Sequence, residues 1–193
     1  MGASDEDLVL AMQSGDTDSL GTLVLRWEQP LFRFTYRILL RREDARDVCQ
    51  ETFLRILNKC HRYKRGSRFS TWMYQIALNL CRDQLRRRRR WGLLLSQNRE
   101  LDEGAAAAPV DATTGGDPAR QIEKQERTVA LVNALKQIPP EQREVLVLKE
   151  YEGLKFREIA EILGCPESTV KSRMYYGLSA VRAALMRDGI TSP

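Results

Sequence analysis

Ser168, Ser172, Tyr175, Tyr176 and Ser179 share one side of the pattern ESTVKSRMYYGLSAVR, with Lys171 and Arg173 on its flanks. At about 100° per residue, Val170, Met174, Leu178, Val181 and Leu185 fall within roughly 80° of one another on the opposite side. The second set is the expected buried face. The first set is suited to recognition rather than to bond-making. Small hydroxyls and tyrosines reach base edges in the major groove, and flanking cations hold phosphates. Thr169, at the start of the same helix, completes this candidate duplex-reading set. A second group has related chemistry: five consecutive guanidinium groups, Arg86–Arg90, follow the amphipathic run TWMYQIALNLCRDQL. A charge block by itself is usually solvated chain. Here the apolar spacing before it makes the run the basic last turns of a helix, where cations also face the negative end of the helix dipole.

Nothing comparable points to catalysis. There is no phosphate-cradling glycine loop and no nucleophile with a base and an orienting group, and the one histidine, His61, has no evident partners. Cys49, Cys60, Cys81 and Cys165 are scattered with no C-x-x-C pair. They read as reduced thiols filling gaps rather than metal ligands or disulfides. No cofactor and no metal are expected. The N-terminus, MGASDEDLVL, is acidic and does not read as a secretory signal. No run approaches the roughly 18 apolar residues of a membrane span, so no membrane insertion is expected.

The elements that must position these groups are all helical. A capping box, Ser4 to Asp7, opens a short first helix. A second pattern starts near Asp16 or Thr17 and carries Leu20, Leu23, Val24, Trp27, Leu31, Phe34 and Ile38, with Pro30 expected to kink or break it. A third covers Glu43 to about Asn58. HRYKRGSRF reads as a basic loop, Ser70 as the cap of the fourth helix, and Gly92 as its end. AAAAPVDATTGG has the composition of a linker. Asp117 and Pro118 open a further helix to about Ile138, and EQREVLVLKEY another that stops at Gly153. KFREIAEILGCPESTVKSRM places Ala160, Gly164 and Val170 at helix-turn-helix offsets, with Gly164 suited to the left-handed turn.

The 193 residues carry a net charge of +5, unevenly spread. Residues 1–91 hold 18 Lys and Arg against 11 Asp and Glu, residues 92–118 hold 1 against 5, and residues 119–193 hold 12 against 10. The expected architecture is all-α: two small helical domains, 1–91 and 119–193, joined by an acidic flexible linker over 92–118. Two basic bodies on an acidic connector suggest nucleic acid as the partner.

EDARDVCQETFLRIL and FSTWMYQIALNLCRDQLRR resemble regions 2.2 to 2.4 of bacterial sigma factors, and the last 60 or so residues resemble region 4. In this order the chain resembles an extracytoplasmic-function sigma factor over about Asp16–Arg90 and Ile122–Met186. The resemblance implies a promoter-specificity subunit of RNA polymerase, cytoplasmic and not an enzyme. It implies that Asp44, Asp47, Gln50, Glu51 and Phe53 dock on the clamp of the core polymerase largest subunit and that the last domain meets the flap. A solvated acidic face explains those carboxylates as well. It further implies that the Tyr63–Phe69 loop and Asn79 capture an unstacked base of the minus-ten element of promoter DNA. Tyr63, Lys64, Arg65, Arg68 and Asn79 supply the planes and polar edges that such capture needs. Trp72 and Tyr74 are candidate wedges in strand opening, with Trp72 equally suited to a core. Arg82, Arg86 and Arg87 are candidate phosphate contacts. An anti-sigma factor is the implied regulator, and a response to stress or envelope signals is the implied setting. The sequence K-S-R-M-Y-Y-G departs from relatives that carry a basic residue soon after the S-R pair, which bears on the minus-thirty-five sequence read. A conventional helix-turn-helix activator or repressor is the alternative.

Overall fold

The computed structural model describes residues 2–95 and 130–187. Residues 92–95, expected to open the linker, are instead helical, and the rest of the expected linker and the expected helix start at Asp117 lie outside the described residues. Within them the chain is helical: α1 Asp5–Gln13, α2 Asp18–Leu39, α3 Arg42–Lys59 followed by a 3-10 turn Cys60–Arg62, and α4 Phe69–Leu95. Beyond the gap come α5 over 130–137, α6 Pro140–Leu146, α7 Phe156–Leu163 and α8 Glu167–Arg187. The last turn after α6, Val147–Tyr151, is a π-helix. Contacts divide the chain into two compact units, the first carrying α1–α4 and the second carrying α5, α6 and α8.

In the first unit, α2 packs on α1, α3 and α4. Leu23, Leu31, Phe34, Ile38, Ala45, Ile56, Phe69, Met73 and Leu78 are buried at its centre. The Ser4–Asp7 capping box forms in both directions. Pro30 does not break α2. Its missing N–H and ring clash cost about 3 kcal/mol. Burial of Leu31 and Phe34 just beyond it offsets this, at roughly 1.5–3 kcal/mol for each side chain. Gly92 likewise does not end α4, which runs to Leu95; a glycine inside a helix costs only about 1 kcal/mol. Ser70 is inside α4 rather than its cap. The backbone N–H of Phe69 instead donates to the Glu6 carboxylate of α1 at 2.9 Å.

In the second unit, α6 packs on α8. A Cβ on Gly177 would lie 3.0 Å from Leu146 Cδ1 and 3.3 Å from Gln142 Cβ, so the absent side chain is what lets the two helices approach. This rotates the buried stripe of α8 to Val170, Met174, Gly177 and Ala184. Leu178, expected inside, is 47% exposed as a result. Gly164, at φ 65°, makes the left-handed turn between α7 and α8.

Candidate nucleic-acid and partner interfaces

The outer face of α3 presents Asp47 and Gln50 to solvent. Glu51 is half-buried and pairs with Arg55 at 2.9 Å, one turn along the helix. Leu54 follows at i+4 from Gln50 and is 54% exposed. An exposed leucine beside a carboxylate and an amide is a mixed patch of the kind that docks a partner helix. The sequence reading missed Leu54, although its position off the buried stripe Val48, Thr52, Phe53 and Ile56 was readable from spacing. Phe53, placed among the docking residues, is buried. Asp44 turns away from this face toward α4. There Gln84 Nε2 donates to its Oδ1 at 2.9 Å and Arg88 Nη1 stands 3.6 Å from its Oδ2.

The basic loop between the 3-10 turn and α4 is folded on itself. The Ser67 N–H donates to Lys64 O at 3.1 Å, and Gly66 takes φ 88° to close the turn. Tyr63 points inward with its ring 5.2 Å from that of Trp72, and its hydroxyl donates to Ser67 O. Burial, and then the Glu6 carboxylate, push the Tyr63 hydroxyl above its ordinary pKa and keep the donor protonated. Tyr63 thus shapes the loop from beneath, while Lys64, Arg65 and Arg68 are exposed on it. Tyr74, a candidate wedge, is buried with its ring 4.8 Å from Phe34 and 6.1 Å from Trp27. Trp72 is half-buried at the loop's edge.

Along α4, Trp72, Gln75, Asn79, Arg82 and Arg86 recur at i, i+3, i+7, i+10 and i+14, within about 80° of one another. Asn79, Gln75 and Arg86 are exposed and Arg82 is half-buried. This line runs from an aromatic through two amides to guanidinium groups, the order of stacking plane, base edge and phosphate contact along one strand. Gln75 was absent from the expected set, and only the continuation of the helical period points to it. Arg86 pairs with Asp83 on its own helix, and Arg87 is exposed.

On α8, Ser168, Lys171, Ser172, Tyr175 and Tyr176 are exposed, and Thr169 and Arg173 are half-buried. Lys171 Nζ lies 2.8 Å from Glu167 Oε1 and 5.9 Å from the centre of the Phe156 ring. Lys149 approaches the same ring at 5.1 Å and donates to Leu154 O at 3.2 Å. The ring at the head of α7 therefore gathers two cations beside the outward face of α8. Tyr175 and Tyr176 meet edge to face at 5.5 Å and are 69% and 61% exposed. Ser172 and Ser179 donate to the carbonyls of Thr169 and Tyr175 at 3.0 Å, which leaves their oxygen lone pairs directed outward as acceptors.

Among the described residues no group of His, Cys, Asp or Glu side chains is placed to hold a metal ion, and no helix is long and apolar enough to cross a membrane.

Residues 23–91 match the family described as Sigma-70 region 2, and residues 128–187 match Sigma-70, region 4. The RNA polymerase sigma-H factor of Pseudomonas aeruginosa is 29% identical over 188 residues, covering 94% of this chain and 93% of that relative. The ECF RNA polymerase sigma factor SigW of Bacillus subtilis is 29% identical over 174 residues, covering 90% of this chain and 92% of the relative. The ECF RNA polymerase sigma factor SigE of Mycolicibacterium smegmatis is 34% identical over 167 residues, covering 86% of this chain and 61% of the relative. In fold, the chain is similar to CnrH, solved in complex with the cytosolic domain of CnrY (TM-score 0.68, 24% identity, 96% of this chain and 99% of that one). It is likewise similar to RpoE of Bartonella quintana, solved in complex with the anti-sigma factor NepR (TM-score 0.68, 21% identity, 86% of this chain and 96% of that one).

Proposed function

Because the chain belongs to the sigma-70 family, as an extracytoplasmic-function sigma factor, we propose that it binds core RNA polymerase and directs initiation at a specific set of promoters. The observation that carries this reading is the co-occurrence, in order, of region 2 over 23–91 and region 4 over 128–187. The domain assignment is 1–91 for core docking and minus-ten recognition, 92–118 for the linker and 119–193 for minus-thirty-five recognition. Asp47, Gln50, Glu51 and Leu54 form the core-facing patch. Lys64, Arg65, Arg68, Gln75, Asn79, Arg82, Arg86 and Arg87 face the minus-ten strand, with Tyr63 and Trp72 as the ring pair beneath the loop. Ser168, Thr169, Lys171, Ser172, Arg173, Tyr175 and Tyr176 read the upstream duplex.

The mechanism is a coupled equilibrium. Contacts to an unstacked strand exist only when the duplex is open. Their free energy therefore shifts the closed–open balance toward the open complex without a chemical step by this chain. Bond formation is the polymerase's, so the protein acts as a specificity subunit and not as an enzyme, in the cytoplasm where polymerase and DNA meet. CnrH and RpoE of Bartonella quintana, similar in fold, were solved with CnrY and the anti-sigma factor NepR. Sequestration of this chain by an anti-sigma factor under stress or envelope control is the matching regulation.

The test is binding in two arms, to purified core polymerase and to duplex promoter DNA without polymerase. The proposal expects tight binding in the first and weak binding of low selectivity in the second. Selective duplex binding as a dimer on paired half-sites, with no affinity for core, would establish the conventional regulator instead.

A further inference from the structure

The matched region 2 begins at residue 23, downstream of α1, yet α1 holds both ends of the basic loop. At its C-terminal end Gln13 Nε2 donates to Cys60 O at 2.8 Å and to Tyr63 O at 2.9 Å. A side-chain amide has two N–H donors, so both carbonyls are served at once. At its N-terminal end the Glu6 carboxylate accepts from the Phe69 N–H at 2.9 Å. That N–H is among the first of α4, which have no partner within their own helix. Glu6 and Gln13 stand seven residues apart, two turns and about 10.5 Å along one face. The helix thereby fixes the separation of the loop's two ends.

α1 is itself anchored to α2. Asp5 accepts from Arg26 Nη1 at 2.8 Å and from Trp27 Nε1 at 2.9 Å, and the Trp27 ring meets Phe69 edge to face at 5.9 Å. Within the loop the Ser67 N–H donates to Lys64 O and the Tyr63 hydroxyl donates to Ser67 O. The exposed Lys64, Arg65 and Arg68 thus sit on a segment whose ends are set from α1.

We propose that Glu6 and Gln13 are positioning residues for promoter opening: they hold the 63–69 loop in the form that captures the minus-ten strand, without touching DNA themselves. This rests on the reading of that loop as the strand-capturing element. Substitutions separate the grip from general stability. Gln13→Glu turns a carboxylate toward two carbonyls and should act more strongly than Gln13→Ala. Glu6→Gln keeps an acceptor for Phe69 and should behave as the unaltered protein, whereas Glu6→Ala removes it.

The experiment measures amide exchange over residues 63–69 and base preference at each minus-ten position with reconstituted holoenzyme, alongside a Lys64→Ala/Arg65→Ala loop variant. Gln13→Glu and Glu6→Ala are expected to raise loop exchange by about tenfold and to flatten base preference as the loop variant does, with core affinity unchanged. Unchanged exchange or unchanged preference in both, while the loop variant still alters preference, overturns the role of α1 and leaves the loop reading standing. A loop variant with unaltered preference and strand opening overturns the loop reading and this proposal with it.

Discussion

Gln84 donates from Nε2 to Asp44 Oδ1 at 2.9 Å and so ties the start of α3 to α4 just before its arginine run. Arg88 joins the pair, 3.6 Å from Asp44 Oδ2 and 3.4 Å from the Leu39 carbonyl at the end of α2. The five arginines are therefore not equivalent. All five are exposed, but Arg88 braces the end of α2 and the start of α3, Arg86 pairs with Asp83, and Arg87, Arg89 and Arg90 extend from the same stretch.

Asp44→Ala should lower the stability of the first unit by about 1–2 kcal/mol, because a largely buried acceptor is lost and Gln84 is left unpaired. The ion pair to the more exposed Arg88 adds little. Urea unfolding measures this. Core affinity should hold; its loss at unchanged stability would return Asp44 to the docking face.

Asp47→Ala with Gln50→Ala, and separately Leu54→Ala, should change stability by no more than about 0.5 kcal/mol, since all three side chains are outside the core. Each should weaken competition for core polymerase by about tenfold or more if the patch is the energetic centre of docking. Full competition by both variants would move the docking site elsewhere.

How much of this was readable in advance differs by element. The α1 capping box, the bounds of α3 and the Gly164 turn follow from side-chain chemistry within a few residues, and the chain alone supplies them. The start of α4 was misplaced because its cap, Glu6, lies 63 positions away in sequence. Leu178 was misassigned because helical angle alone does not report that Gly177 lets α6 in. The family resemblance implies site roles for Asp44, Phe53 and Tyr74. Each proves to be turned inward or toward a neighbouring helix, a matter of tertiary packing that spacing does not encode.

Lys171→Ala and Tyr175→Ala should each reduce discrimination at single base pairs of the upstream element by about 1–3 kcal/mol, while core binding and minus-ten selection stay intact. Holoenzyme binding to systematically substituted promoters reads this out. A parallel drop in core affinity would contradict the division of labour between the two units.

Burial, with the Glu28 carboxylate second, pushes the Cys49 thiol from 9.0 up to about 12. The folded state keeps this proton while the unfolded chain loses it near pH 9, so the contribution is complete below pH 9 and is lost as pH rises toward 12. Stability should fall more steeply between pH 8 and pH 10 in the unaltered protein than in Cys49→Ala, a comparison that cancels the other titrating groups. Equal slopes would mean that Cys49 is more accessible than its packing implies. Thiol labelling at pH 8 should reach the half-buried Cys60 and Cys165 before the buried Cys49 and Cys81.

The central claim is that this chain turns core polymerase into a promoter-specific enzyme. Run-off transcription with purified core polymerase, on promoters selected from the source genome by the reconstituted holoenzyme, tests it most directly. The account predicts transcripts with defined starts that depend on the added chain and that disappear when either promoter element is replaced. Failure to direct initiation on any such promoter, with the chain folded and core polymerase active with another sigma factor, would contradict it.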